Sequence, residues 1–530
     1  MNRQLTARGM LVGLLGLLVI TASSMYVALR MGALPWPTVF VTVVSMAALK
    51  KAKGSTLQEI NVTHTIMSSG AMVAGGLAFT LPGLWMLNPD ASFSTLSLIV
   101  LTVVGAILGT LFSALFRRQF IEEEKLPYPM GLASYNTLLA GMKGGNGAKT
   151  LFASMGGSAV FTVLRDGFGK IPALLTLFKG NAMIPSFSIW ISPMAMGIGA
   201  IIGPILALVW FGGSIFGFFV LTPIALATGL FHSMAEADVF RSNLGIGLMI
   251  GTGLGVFVKA VFSKAKGKKG NGERKPFPLR TKLLIFLVML FAAVLLGIGT
   301  EISLPQALIL IVGIYLTTYL SGMLTGQTGI NPMEIFGILT LLVVQFFTNP
   351  SLIASFSIAA VTAVACGLTG DVMNDLKSGH MLGTDPKQQL AGEGIGGVIG
   401  AILSVFVLLI MKRAFGGFGT AELPAPQAAA VSAMVGGLGN VPAFVIGCIV
   451  GLTLFLCKVP AATLGLGVYL PVYISSIMGL GALVAAIVKK GFSKKYKEDT
   501  ISGTAGLVAS GLLGGEGITG VAIAILSMLK

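Results

Sequence analysis

Runs of apolar residues about as long as a bilayer is thick recur from one end of this chain to the other, joined by short connections. A helix needs about 20 residues to cross the hydrocarbon core, and only helices and closed barrels satisfy every backbone polar group there. The runs lie near 9–29, 34–49, 66–87, 96–116, 150–164, 188–209, 211–231, 243–263, 283–300, 305–323, 332–347, 351–369, 394–411, 427–457, 461–488 and 501–528. Several are short or broken, so the expectation is an all-α polytopic membrane protein with fourteen to sixteen transmembrane helices. A mean hydropathy of +0.91 with 10% charged residues leaves almost nothing for a soluble domain.

The formal charge of +16 would point to nucleic acid in a soluble protein. Here the basic residues gather in connections: Lys50, Lys51 and Lys53, Arg117 and Arg118, 264–282, and 489–497. The bias of Lys and Arg toward the inner side makes these connections cytoplasmic, together with the amino terminus and its Arg3 and Arg8. Contact with anionic lipid is a secondary use, and nucleic acid is excluded as a partner. The apolar run after Arg8 has the look of a secretory signal, but further spans follow at once, so it reads as an uncleaved first span. Cys366, Cys448 and Cys457 are scattered through apolar spans, which argues against a disulfide framework or a thiolate metal site.

Glycine is abundant, 72 of 530 residues, and falls at helix-packing spacing. Gly392, Gly396 and Gly400 define one face, and Gly199 with Gly203 another, on which backbones can approach closely. Proline and glycine also interrupt spans in paired places. SPMAMGIGAIIGP at 192–204 pairs with LGLGVYLPVYISS at 464–476, NVTHTIMSSG at 61–70 with GQTGINPMEIFG at 326–337, and GLMIGTGLG at 247–255 with GLVASGLLGGEG at 506–517. A shared offset near half the chain length predicts an internal duplication, with halves 1–275 and 276–530 meeting in the basic stretch KAKGKKGNGERKPFPLR. Interrupted helices at matching places of two repeats point to a secondary transporter.

Polar residues stand out against this background. The segment 370–394 concentrates Asp371, Asn374, Asp375, Lys377, His380, Asp385, Lys387 and Glu393 between two spans, and reads as a pathway, a site or a well-hydrated loop at the membrane edge. Within it Asp371 and Asp375 are one helical turn apart with Lys377 beside them, whereas Asp385 and Lys387 read as solvated. Glu334, just inside an apolar stretch, is either a proton carrier or a structural carboxylate at a helix start. Glu516, inside GLLGGEGITG, is a proton carrier, a substrate contact, a buried partner of an unseen lysine, or part of a wet terminal loop. The proton-coupling candidates are therefore Glu334, Glu516, Asp371 and Asp375, because a carboxylate inside the bilayer needs a proton or a partner. Asn61, His64, Tyr128, Gln327, Asn331 and Lys377 are the candidate substrate contacts. RRQFIEEEKLPYP at 117–129 reads as a solvated loop with ion pairs, or as a mouth lined by Tyr128 and a glutamate.

No HExxH, GxSxG or CxxC occurs, so no enzyme activity, cofactor or bound metal is expected. GMKGGNGAKT at 141–150 imitates a phosphate-binding loop, but Ala148 stands between Gly147 and Lys149. His232 with Glu236 has metal-ligand spacing, as any pair four residues apart on a helix does.

Taken in order, TARGMLVGLLGLLVITASSMYVALRMG, EINVTHTIMSSGAMVAGGLAFTLPGLW, FIEEEKLPYPMGLAS, LKSGHMLGTDPKQQ, GLGVYLP and SGLLGGEGITG give the chain a family likeness. It resembles the oligopeptide transporter (OPT) superfamily, which includes the yellow-stripe-like metal-chelate carriers, and looks like a compact prokaryotic member. Met130 departs from the polar or small residue frequent there in relatives. The resemblance implies about sixteen helices in two related halves, and proton-driven symport of peptides, peptide-like solutes or metal chelates. It also implies residence in a bacterial or archaeal cytoplasmic membrane, and dimerisation suits so glycine-rich a bundle. The competing reading is a membrane channel or scaffold without coupled transport.

Overall fold

The computed structural model describes residues 4–31, 38–50, 52–143, 145–181, 183–265, 279–420, 423–435, 439–492 and 498–528. Its helices begin with α1 Ala7–Met31, α2 Thr38–Leu49, α3 Leu57–Ala78, α4 Pro82–Leu87, α5 Thr95–Arg117, α6 Pro129–Lys143 and α7 Gly145–Thr162. A hairpin of β1 Leu174–Phe178 and β2 Phe187–Trp190 precedes α8 Pro193–Ile202, α9 Pro204–Ile215, α10 Thr222–Ala227 and α11 Met234–Ala265. Next come α12 Leu279–Gly299, α13 Leu304–Thr328, α14 Met333–Phe347, α15 Leu352–Leu382 and α16 Pro386–Ala414. The series closes with α17 Pro426–Val435, α18 Val441–Leu456, α19 Ala461–Tyr469, α20 Val472–Phe492 and α21 Glu498–Met528. Among the described residues nine helical segments are long and apolar enough to cross a bilayer, and three shorter apolar helices accompany them. The chain is thus an all-α polytopic membrane protein, as its sequence implies.

Several boundaries differ from the sequence reading, for local reasons. The polar segment 370–394 is not an extended connection: α15 runs through Asp371 and Asp375 to Leu382, and α16 begins at Pro386. Only Gly383, Thr384 and Asp385 lie between them. Gly383 at φ +71° ends α15 in the left-handed conformation that glycine adopts without steric cost. Asp385 caps α16 through its side chain, and Pro386 occupies the first turn, where no N–H is needed. The run 427–457 is two helices, α17 and α18. The run 188–209 contains β2, then α8 and α9 broken at Gly203 (φ +82°), so Gly203 is a break rather than part of a packing face with Gly199. The run 461–488 is broken between α19 and α20 at Leu470 and Pro471.

Contacts divide the chain into two compact units, each drawing on both sides of residue 275. Unit 1 comprises 1–171, 289–436 and 492–530. At its centre is α15, packed by α3, α5, α6, α13, α14 and α16. It is buried on every side from Ala354 to Leu376, as a helix must be when it lacks a polar face turned to solvent. Its neighbours come close because they present glycine. A Cβ on Gly76 of α3 would lie 2.7 Å from the Val364 backbone, and one on Gly109 of α5 would lie 2.6 Å from the Ala365 carbonyl. The face Gly392, Gly396 and Gly400 of α16 presses on α3, where a Cβ at Gly400 would sit 2.5 Å from Gly70 Cα.

Unit 2 comprises 172–288 and 437–491. Its two broken helices lie antiparallel: Gly199 and Gly481 face Met478 and Met196, while Gly213 and Gly467 face Leu464 and Trp210. The breaks therefore fall at a similar level. Beside them α11 and α18 interlock through Gly247, Gly251, Gly447 and Gly451.

Candidate functional site

Three carboxylates converge inside unit 1. Asp371 and Asp375 of α15 and Glu393 of α16 are each fully buried, and each offers an oxygen within 4.8 Å of the others. At the helical rise of about 1.5 Å per residue, Asp375 lies about 12 Å and Asp371 about 18 Å along α15 from Gly383. These acids are buried within the protein, well removed from the α15–α16 turn.

The α3 helix supplies the partners. His64 and Ser68, four residues apart, share one face. His64 Nε2 lies 3.1 Å from Asp375 Oδ1, and Ser68 Oγ donates to Asp375 Oδ2 at 2.7 Å. Asp375 is therefore held from both oxygens. Among the described residues no donor lies in hydrogen-bonding geometry to either oxygen of Asp371 or of Glu393, and His64 Nδ1 is also without a partner. A carboxylate left so in a dry interior is costly unless it carries a proton or meets a cation. Hard carboxylate oxygens beside an imidazole already tied to Asp375 offer either choice.

A hydrogen-bonded layer separates this cluster from the α15–α16 connection. Gln389 Nε2 donates to the Asp375 carbonyl at 2.6 Å and to Thr65 Oγ1 at 3.2 Å. Ser378 Oγ donates to Asn61 Oδ1 at 2.9 Å, and Asn61 Nδ2 donates to Thr384 Oγ1 at 3.2 Å. On the other flank Asn374 Oδ1 accepts from the Gly131 N–H at 3.1 Å. The close α6–α15 approach depends on Gly131, whose Cβ would meet the Asn374 carbonyl.

The structure thus brings together Asp371, Asp375 and His64, with Asn61 one helical turn from His64. Lys377 is partly exposed, and its Cβ faces Gly131 of α6. The remaining candidates occupy other places in unit 1. Asn331 Nδ2 donates to the Cys366 carbonyl at 2.8 Å, and Ser321 Oγ bridges Cys366 and Asn331. Gln327 is half-buried near the end of α13, and Glu334 is buried in the first turn of α14, where the helix dipole favours a carboxylate. Glu516 of α21 meets Arg165, whose guanidinium lies 2.8 Å from it and 2.6 Å from Asp166.

The 117–129 segment divides between its two readings. Arg117 pairs with Glu122 at 2.5 Å and Arg118 with Glu123 at 3.2 Å, near the surface. Tyr128 is fully buried rather than lining a mouth: its hydroxyl donates to the Gly322 carbonyl at 2.8 Å and its N–H to the Gly326 carbonyl at 3.0 Å. It does so at φ +46°, a backbone conformation that is costly for a tyrosine. Of the segment 141–150, the described residues 141–143 end α6 and 145–150 begin α7, and no strand precedes them as a strand–loop–helix nucleotide site would need. Glu236 accepts from the backbone N–H of His232 at 3.0 Å, and Asp238 lies 3.3 Å from Arg241.

Sequence reading missed Glu393 and Ser68 as members of the cluster. A signal for Glu393 existed, since it adjoins Gly392 on the small-residue face of α16, the surface bound to meet another helix.

Comparison with known proteins agrees with this architecture. The sequence profile of the family described as "OPT oligopeptide transporter protein" matches residues 4–527. The "Putative oligopeptide transporter" of Haemophilus influenzae is 25% identical, over 95% of this chain and 92% of that protein. The "Probable metal-nicotianamine transporter YSL13" of Oryza sativa subsp. japonica is 23% identical, over 81% of this chain and 70% of its own length. A match spanning nearly every helix of an all-α membrane protein shows that this chain belongs to the OPT family, as a membrane transporter and not an enzyme.

Proposed function

We propose that this protein is a secondary active transporter that imports small oligopeptides, or related anionic or metal-chelate solutes, in symport with protons. The single observation that carries the coupling is the buried pair Asp371 and Asp375, with His64 on one acid and no donor on the other. Negative charge in that position stays in the membrane interior only when a proton or cation accompanies it, so loading and unloading is tied to access from one side or the other. The substrate class is supported by the relatives, one named for oligopeptides and one for metal–nicotianamine. Asn61 and Lys377 offer amide and ammonium contacts for a carboxylate-bearing solute, and Asn331, Gln327 and Tyr128 offer further polar groups. Asn61, Asn331 and Tyr128 are engaged within the protein, so substrate contact there requires rearrangement. Glu334 and Glu516 are the secondary coupling candidates; the Arg165 partner gives Glu516 a structural use as well. We further propose the two halves 1–275 and 276–530 as related repeats, the amino terminus in the cytoplasm of a bacterial or archaeal cell, and a homodimer.

The test is uptake into proteoliposomes of trialanine and of nickel–nicotianamine, with an imposed pH gradient of either sign. Accumulation of one probe above its external concentration, only with protons entering in the same direction, is the expected result. Flux that merely runs downhill and ignores the gradient would show a channel and sink the coupled reading.

A further inference from the structure

We propose that Glu393 is itself a proton-carrying member of the coupling site, so that the site exchanges more than one proton. This rests on the coupling reading above and deepens it. Glu393 is on α16, a different helix from the two aspartates, and is fully buried. Among the described residues no donor lies in hydrogen-bonding geometry to either of its oxygens, and one of them comes within 4.8 Å of Asp371 and Asp375.

Among the described side chains packed on its helix, none is placed to balance its charge. The elements packed on α16 are α1, α3, α5 and α15. Of their charged and titratable groups, Arg8 of α1 is taken by Glu59 of α3 at 2.6 Å, and Arg117 at the end of α5 pairs with Glu122. His64 of α3 is turned to Asp375. On α15, Lys377 faces α6 at its Cβ, His380 is exposed near the helix end, and the remaining charged groups are Asp371 and Asp375 themselves. Tyr26 of α1 and Cys366 of α15 are neutral groups. Glu393 thus has two other carboxyl groups as its nearest described titratable neighbours in a fully buried place.

Gly392, Gly396 and Gly400 bring α16 onto α3 so closely that Cβ atoms there would crowd Val62, Ile66, Ser69 and Gly70. Three neighbouring carboxylates with one imidazole cannot all be anionic at once: two like charges a few ångströms apart already disfavour double ionisation. At least one proton resides on the trio at rest. With Glu393 included, each turn of the cycle transfers protons from one aqueous phase to Asp371, Asp375 and Glu393 and releases them to the other, leaving the carboxylates unchanged overall.

The decisive readout needs no substrate. Infrared difference spectroscopy of the full chain in lipid, titrated from alkaline to acidic, reports the carbonyl stretch of each newly protonated carboxyl. Loss of one component in Glu393→Gln, its retention in Glu393→Asp, and an unchanged melting profile for both are expected. A spectrum identical in Glu393→Gln and the parent would overturn the proposal, because Glu393 would then never exchange its proton. So would the same band changes on adding sodium at fixed acidity, which would make the trio a cation site. Proteoliposomes add a second arm with trialanine: the steepness of uptake against proton concentration falls in Glu393→Gln while exchange of trialanine at zero gradient persists. If the parent spectrum shows exchangeable carboxyls but neither probe moves, the substrate reading fails and the Glu393 assignment stands.

Discussion

Both units use glycine to bring helices into contact, yet they bury charge in opposite ways. Among the described residues unit 1 encloses six carboxylates, Glu59, Glu334, Asp371, Asp375, Glu393 and Glu516, against one buried guanidinium, Arg165. Unit 2 encloses one charged side chain, Arg241, and surrounds it with partners. Its guanidinium donates to the carbonyls of Val468 and Tyr469 at the end of broken helix α19, pairs with Asp238 at 3.3 Å, and lies 3.7 Å from the Phe218 ring centre. These carbonyls have lost their helical partners at the Leu470–Pro471 break, and the arginine replaces them. Unit 2 has a charge whose work is structural. Unit 1 pairs Glu59 with Arg8 and Glu516 with Arg165, but among the described residues no ion pair reaches Glu334, Asp371 or Glu393, and such an imbalance is tolerated where function uses it.

The comparison can be broken at several levels. Gly396→Leu in unit 1 and Gly251→Leu in unit 2 should each prevent recovery of monodisperse protein by size exclusion, at a cost above the ~3 kcal/mol of ordinary overpacking. In both, the new side chain meets backbone, the Ile66 carbonyl in one case and the Cys448 carbonyl in the other. Failure in one unit alone would mean that the glycine seams are not equivalent. Arg165→Met should lower stability by about 3–5 kcal/mol, since Glu516 loses its guanidinium partner. Denaturant melts in detergent check this. Arg241→Met should cost about 2–4 kcal/mol by leaving the α19 carbonyls short of donors, with Arg241→Lys recovering only part of it.

Asp375→Asn should have the smallest effect on stability, within about 1 kcal/mol, because an amide still accepts from Ser68 while a buried charge is removed. The same substitution should abolish gradient-driven uptake of trialanine. A large loss of stability in Asp375→Asn, with transport intact, would reverse the contrast between the two units.

The fold class was legible because an apolar run needs no tertiary context to be recognised. Both helix breaks were legible too, since proline and glycine act locally at 192–204 and 464–476. The segment 370–394 misled for a physical reason: a run of polar residues looks like a connection when the partner that buries it is hidden. Here that partner is α3, more than 300 residues earlier, reaching Asp375 through His64 and Ser68. The Arg165–Glu516 pair joins residues 351 positions apart, which spacing cannot reveal. Asp371 and Asp375 were readable as neighbours on one helix. Glu393 joins them only because the intervening turn folds α16 back along α15. The β1–β2 hairpin left no period strong enough to set it apart from the spans around it.

The brevity of that turn has an evolutionary consequence. Asp375 stands as far before Gly383 as Glu393 stands after Asp385, so the turn acts as the fixed origin from which both acids are measured. One extra residue inside either helix would swing its acid by about 100° around the axis and carry it out of the cluster. Point changes on exposed parts of this hairpin leave that spacing intact, whereas an insertion or deletion within the helical stretches 375–382 or 386–393 would turn one acid out of the cluster.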